Sequence, residues 1–326
     1  MSITEVVTMS QTKNLQTDKS LQLLVARAFD GAKIKSQSEL TEGYCNAAYK
    51  IELESGERVV LKIAPANAVN LMSYEINMMQ AEVAAMKLVS EKTHLLLPKV
   101  LYYDETKNVC DSDYFFMDWI DGYSLSSSKS GMTTEAIKSA EVEIGQYIGK
   151  LHTIKGERFG LLGSMNTSKE SLFPFFEQLL LGILQDGRKM NINIGVDYDM
   201  VHASLVRDKS SFHEVTESVL VHWDTWEGNW LVKDNSIIGL IDWERALYGD
   251  PLMEDRFRKH SNSDSFLKGY GANEFSHSEK VRMAWYDVYL YLIMMIEGAY
   301  RGYENDEQYQ WAKGMFLPIM EKLLVD

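Results

Sequence analysis

Between Asn46 and Ala64 the chain reads NAAYKIELESGERVVLKIA, and apolar residues fall at every second position through Ile51, Leu53, Val59, Leu61 and Ile63. Glu54-Ser55-Gly56-Glu57 interrupts the alternation, so the stretch predicts a β-hairpin with one buried face. A period of two here constrains everything upstream of the middle of the chain, because a hairpin needs further strands or a helix to cover its apolar face.

The surrounding segments supply both. Asp18 is placed to cap a helix that carries Leu21, Leu24, Val25 and Ala28 on one side. A long helical pattern runs from about Val69 to Glu91, using Leu71, Met78, Met79, Val83, Met86 and Val89. After Pro98 two short strands are expected at Lys99–Tyr103 and Tyr114–Trp119. The Ser/Gly-rich stretch from Asp121 to Gly131 reads as a loop in which the chain leaves the sheet. Beyond it helices are expected at Thr134–Thr153, Ser171–Asp186, Ser278–Tyr300 and Glu304–Leu324.

One interruption breaks that helical half. NWLVKDNSIIGLIDWE predicts two short strands, Trp230–Lys233 and Ile237–Asp242, around an Asp234-Asn235 turn. The segment leading into it, VHWDTWEGNW from Val221 to Trp230, concentrates a His, an Asp, an Asn and three Trp. A hairpin brings its ends together, so Asn229 and Asp242 become neighbours with Asp224 one loop away. Two carboxylates and a carboxamide suit a hard cation such as Mg²⁺, which prefers oxygen ligands. The remaining carboxylate, Asp224, is then available as a general base. A divalent cation beside a base describes phosphoryl transfer, where catalysis is mostly positioning and charge neutralisation.

Such chemistry requires a cation for the nucleotide phosphates. Lys62 in RVVLKIA lies on the opposite strand face from Leu61 and Ile63; taken alone it reads as a solvent-facing strand lysine. Glu82 in the following helix is its expected carboxylate partner, and Glu75, seven residues earlier, is a rival on nearly the same face.

In order, these motifs resemble the aminoglycoside phosphotransferase and choline kinase family, relatives of the protein kinases. The resemblance implies an α+β fold of two lobes: an antiparallel sheet with a helix, then a larger, mainly helical lobe holding a small hairpin. It implies that Asp224 is catalytic, that Asn229 and Asp242 bind Mg²⁺, and that Lys62 holds the phosphates of ATP or GTP with Glu82 as partner. TEGYCNAAYKI resembles the loop over those phosphates, with Gly43 and Asn46 placed to approach them. FFMDWIDG resembles the interlobe hinge, so backbone at Asp118 and Ile120 is expected to meet the nucleotide base. The corresponding division is a flexible tail over 1–17, a nucleotide lobe over 18–119, a linker over 120–131 and the helical lobe over 132–326.

Absent GxGxxG, HRD, DFG and APE segments disfavour a protein kinase, and Trp243 stands where that family has the Phe of DFG. Trp230 and Trp243 are expected in the core, whereas Trp223 and Trp226 either pack or wall an acceptor pocket. Glu227 and Glu244, acidic and without an assigned role, predict an amine-bearing small-molecule acceptor. A housekeeping kinase acting on choline, a sugar or an amino alcohol is the alternative, and a catalytically silent nucleotide-binding protein is the rival from another class.

A net charge of −14 argues against nucleic acid or an anionic membrane as partner. Two cysteines, Cys45 and Cys110, form no disulfide framework. The apolar run Val288–Ile296 is too short to span a bilayer, and the polar N-terminus has no signal-like apolar stretch, so a cytoplasmic protein is expected.

Overall fold

The computed structural model describes residues 13–41, 46–66, 70–272 and 274–325. The chain divides into two compact units, one formed by 1–71, 98–119 and 298–306, the other by 72–97, 120–297 and 307–326.

The first unit is built on the alternating hairpin. Helix α1 (Asp18–Ala28) precedes strands β1 (Ile34–Glu39), β2 (Ala47–Leu53) and β3 (Arg58–Ile63), and β4 (Val100–Asp104) and β5 (Tyr114–Asp118) complete an antiparallel sheet in the order β1-β2-β3-β5-β4. The inward residues of β2 and β3, among them Ile51, Leu53, Leu61 and Ile63, bury against Leu21, Leu24 and Val25 of α1. Each such side chain contributes about 1.5–3 kcal/mol on burial. The helix is capped by Thr17, whose Oγ1 accepts from the Ser20 amide at 3.2 Å, so the cap lies one residue before the expected Asp18.

Residues 13–17 are tied down, contrary to the flexible tail expected there. Asn14 donates to Asp111 and Ser112, and the Gln16 amide donates to Tyr49 Oη at 2.9 Å.

The second unit begins with helix α2 (Met78–Lys92), shorter than expected at its start. It groups with the helical unit, whereas the sequence division placed it in the first lobe. The stretch expected as a loop after residue 120 is ordered: β6 (Tyr123–Ser124) pairs with the central hairpin, and α3 (Leu125–Ser128) follows, capped by Ser124. Helix α4 (Thr134–Leu151) comes next, then the two-residue strands β7 (Lys155–Gly156) and β8 (Gly160–Leu161), and helices α5 (Leu172–Lys189) and α6 (Tyr198–Arg207). Strand β9 (Ser218–Val221) leads to the hairpin β10 (Trp230–Lys233) and β11 (Ser236–Leu240), and β12 (Leu247–Gly249) pairs back on β9. Helices α7 (Asp264–Tyr270), α8 (His277–Arg301) and α9 (Glu307–Val325) complete the chain. No helix among the described residues is long and apolar enough to cross a membrane.

One helix crossing matters for the site. A Cβ on Gly145 of α4 would come within 2.3 Å of the Phe266 carbonyl oxygen, and one on Gly269 of α7 within 2.1 Å of the Val142 carbonyl oxygen. The two helices meet backbone to backbone through reciprocal glycines, and α7 thereby holds Tyr270 against His152.

Candidate active site

Strand β9 delivers His222, Trp223 and Asp224 to the end of a four-stranded sheet, and a 3-10 turn over Glu227–Asn229 carries the chain into β10. The β10–β11 turn is closed by Asp234 and Asn235, both left-handed at φ 51° and 65°. Asp and Asn tolerate that conformation, which matches the right-handed twist of a hairpin. Trp230 then pairs with Leu240, and the Ile241 amide donates to the Asn229 carbonyl at 3.0 Å. Asn229 and Asp242 are therefore brought to the same end of the hairpin, as the sequence predicts.

A buried carboxylate organises the loop before it. Glu254, fully shielded from solvent, accepts from the amides of His222 (2.7 Å) and Trp223 (2.9 Å) and from Thr225 Oγ1 (3.2 Å). His152 Nε2 lies 3.5 Å from the same carboxylate, and its Nδ1 meets the Tyr270 hydroxyl at 2.9 Å. These contacts hold Trp223 at φ +75°, a conformation a bulky residue rarely adopts.

His222 links the two halves. Its Nδ1 faces the Asp224 amide at 3.3 Å and its Nε2 faces the Ile241 carbonyl at 3.1 Å, so the network requires a neutral ring protonated at Nε2. Trp243 packs edge-on against this ring at 4.5 Å, and Trp230 donates from its indole to the Thr225 carbonyl at 2.9 Å. Both tryptophans are fully buried, as expected. Trp223 is also buried, while Trp226 is half exposed with its ring over Gly228.

Asn229 donates from Nδ2 to the Asp224 backbone carbonyl at 2.8 Å. That bond fixes the amide orientation and makes Oδ1 the atom that could face a cation. Asp242 is held at φ +70°, and its carboxylate lies with those of Glu82 and Glu244, all within 4.8 Å of one another. An oxygen-only set at that spacing fits a hard divalent ion.

The Asp224 carboxylate faces Arg245, whose Nε lies 4.0 Å from Oδ2. Burial pushes the Asp224 carboxyl up to about 7; the Arg245 guanidinium opposes that rise and the Asp242 charge adds to it. Beside Arg245 opens a small cleft with a cavity volume of about 30 Å³, lined by Tyr74, Leu179, Trp223, Glu244, Arg245 and Tyr289 among others.

The other expected residues fall as follows. Lys62 is buried in the middle of β3, between register partners Ala48 and Phe115, so it is not a solvent-facing lysine. The Glu75 carboxylate accepts from the Met72 amide at 2.8 Å. Gly43 lies outside the described residues; Asn46 sits in a bend before β2. The Asp118 amide donates to the Lys99 carbonyl at 3.1 Å, so that N–H is already engaged. Glu227 pairs with Lys129 and is not among the residues lining the cleft. Glu244 does line it, yet lies in the carboxylate cluster. The two acids expected to receive an amine thus have other neighbours.

Residues 36–254 match the sequence profile of the phosphotransferase enzyme family, which is about two thirds of the chain. The chain belongs to that family. Solved structures agree on the fold. A candidate fructosamine-3-kinase from Thermobifida fusca is 16% identical and superposes with a TM-score of 0.67 over 91% of this chain and 98% of that one. A ternary complex of a thermostable aminoglycoside phosphotransferase APH(4)-Ia with ADP and hygromycin B is 17% identical, with a TM-score of 0.62 over 93% and 98% of the two chains. At these identities the likeness establishes the protein-kinase-like α+β fold. Among curated sequences, Altered inheritance of mitochondria protein 9, mitochondrial, from Clavispora lusitaniae is 26% identical over 158 residues, 45% of this chain and 26% of that protein. The chain therefore spans about a quarter of the length of that relative.

Two residues of the site, Glu254 and Arg245, have no motif of their own. Glu254 acts on backbone amides of the loop and meets His152 across 102 positions. Arg245 follows Glu244 directly and is visible as a charge, but its aim at Asp224 is set by the 3-10 turn Trp243–Arg245.

Proposed function

We propose that this phosphotransferase is a small-molecule kinase that moves the γ-phosphoryl group of ATP, or of GTP, to an alcohol hydroxyl. The observation that carries the reading is Asp224, partly shielded and facing Arg245, its carbonyl accepting from Asn229, with Asn229 and Asp242 at the same end of the hairpin. Asp224 orients the acceptor hydroxyl and receives its proton as the oxygen attacks phosphorus. Arg245 keeps enough of that carboxylate ionised, and Glu254 holds the loop so that Asp224 need not reorganise during the step. Asn229 Oδ1 and Asp242 would hold Mg²⁺, with Glu82 and Glu244 close enough to share it; the ion supplies neutralisation of the phosphate charge.

Lys62 is the residue we assign to the nucleotide phosphates, with Glu82 expected as its partner from the family resemblance. Gly43 and Asn46 of the preceding loop, and backbone at Asp118 and Ile120, are assigned to the nucleotide on the same ground. For Asp118 the free backbone group is then its carbonyl. The nearby aminoglycoside phosphotransferase complex with ADP and hygromycin B supports nucleotide and small-molecule acceptor as ligands.

The deciding experiment incubates the chain and its Asp224→Asn variant with γ-labelled ATP or GTP, Mg²⁺ and a panel of alcohols. Transfer of label to an acceptor by the parent, lost in the variant, is the expected result. Nucleotide binding without transfer to any acceptor would favour the silent nucleotide-binding alternative.

A further inference from the structure

Trp223, the residue directly before Asp224, is held at two places. Glu254 fixes its backbone amide, and the buried ring is held separately. The Arg245 guanidinium lies over that ring at 5.0 Å from its centroid, Arg258 lies over it at 5.7 Å, and Tyr289 meets it edge-on at 6.1 Å. A bulky residue at φ +75° stays there only where its surroundings over-determine it.

The surroundings of Arg258 leave a matching gap. Its side chain is buried; Nη2 donates to the Met253 carbonyl at 3.1 Å, whereas Nη1 lies 3.9 Å from Asp287 Oδ1, beyond hydrogen-bond reach. Nε and Nη1 are buried and make no hydrogen bond among the described residues. One hydrogen bond from a group with five donors offsets little of the cost of burying its charge. The flat face of a guanidinium stacked on an indole adds the missing attraction, which is strongest away from water. The strained tryptophan and the sparsely bonded arginine thus stabilise each other. The same ring bears on Arg245, whose Nε lies 4.0 Å from Asp224 Oδ2. Its placement therefore reaches Asp224 by two routes, along the chain and through Arg245.

We propose that Arg258 is a positioning residue: it fixes the Trp223 ring and, through that ring, sets where Asp224 presents its carboxylate. The inference rests on the kinase reading above and deepens it by adding a residue from outside the catalytic loop.

The test places Arg258→Met in the parent chain and in a Trp223→Gly background, since glycine takes a left-handed φ freely and leaves no ring to hold. Two quantities are followed: turnover of labelled ATP with whichever alcohol the acceptor panel identifies, and hydrogen exchange of the Asp224 amide, which needs no acceptor. In the parent, Arg258→Met should lower kcat by about tenfold or more with little change in nucleotide KM. Exchange at Asp224 should quicken by about the same factor. In the Trp223→Gly background the same substitution should change neither by more than about twofold, because the contact it removes is already gone. Arg258→Lys keeps the charge without the flat face, so it should fall between parent and methionine, and it serves where the methionine variant fails to fold. Trp223→Asn, which tolerates left-handed backbone, likewise serves in place of glycine. Parental exchange in Arg258→Met, parental kcat in it, or equal effects in the two backgrounds overturns the proposal. Quickened exchange with no transfer by the parent to any alcohol would leave the positioning role standing while the kinase reading falls. Transfer by the parent, with kcat and exchange indifferent to Arg258→Met, would do the reverse.

Discussion

The side-chain amide of Asn229 donates to the backbone carbonyl of Asp224 at 2.8 Å, so the residue expected to hold the metal also fixes the loop that carries the base. Loss of the amide therefore has two effects at once. Asn229→Ala should weaken Mg²⁺ dependence and also lower kcat at saturating metal, because the Asp224 backbone loses an anchor. Asn229→Asp keeps an oxygen ligand but cannot donate the hydrogen bond. It should recover metal binding, seen by titration, without recovering full kcat.

Asp224→Asn removes the proton acceptor and leaves the surrounding loop the same size. A fall in kcat of roughly 10²–10⁴-fold is expected, the usual worth of a general base, with little change in nucleotide affinity. Near-parental turnover in this variant would take Asp224 out of the chemistry.

The raised carboxyl of Asp224 carries a signed pH dependence. Its folded pKa of about 7 exceeds the unfolded value of about 3.9, so the folded chain binds the extra proton between those two values. Asp224 therefore lowers stability progressively as pH rises from about 4 to about 7, by up to roughly 4 kcal/mol. Unfolding by urea, done without divalent ions at both pH values, should show Asp224→Asn lacking that slope. Asp242→Asn should lower the titration midpoint of Asp224, because the Asp242 charge is one of the groups that raises it; carboxyl-carbon NMR would read the shift directly.

Glu254→Gln tests the loop's anchor. One oxygen of the carboxylate can still accept, but the new NH₂ opposes either the His222 amide or the Trp223 amide together with Thr225. Hydrogen bonds to a buried charge contribute about 1.5–3 kcal/mol each, so a loss of roughly 2–4 kcal/mol in unfolding free energy is expected. Activity should fall further than stability alone explains, because Trp223 is then free to leave its left-handed backbone conformation. Parental stability in the glutamine variant would count against the anchoring role.

Gly145→Ala probes the same loop from a distance. The added methyl meets α7 backbone at 2.3 and 2.5 Å, where no side chain can swing aside. Separation of α4 from α7 should displace Tyr270 and then His152, which faces Glu254. A lowered melting temperature with a parallel loss of kcat is expected, although the substitution lies outside the cleft.

Much of the site was legible because it is local in sequence. Asp224, Asn229 and Asp242 fall around one hairpin whose Asp234-Asn235 turn is itself a strong signal, so topology and chemistry could be read together. The first sheet was legible where burial alternates, as in β2, and not at β1, whose IKSQSE is an edge strand with mostly solvent-facing residues and no apolar period. Strands of two or three residues, such as β7, β8 and β12, are too short to show any period. Helices α6 and α7 were missed because they are brief, and the 121–131 stretch because its serines read as loop although Ser124 caps a helix. Glu254 was hidden for a different reason. It works through backbone amides 31 and 32 positions away, and no spacing rule announces such a contact.

The gathering of Glu82, Asp242 and Glu244 has a consequence for handling the protein. Three carboxylates this close, one of them on a left-handed residue, gather negative charge that a bound divalent ion would neutralise. Any ion that binds them only in the folded state will raise the melting temperature by mass action, by an amount that grows with the logarithm of its concentration. The melting temperature thus becomes a gauge of cation identity that needs neither nucleotide nor acceptor. A comparison of Mg²⁺, Mn²⁺ and Ca²⁺ can rank the ions before any substrate is known, and Asp242→Asn should respond less to their addition.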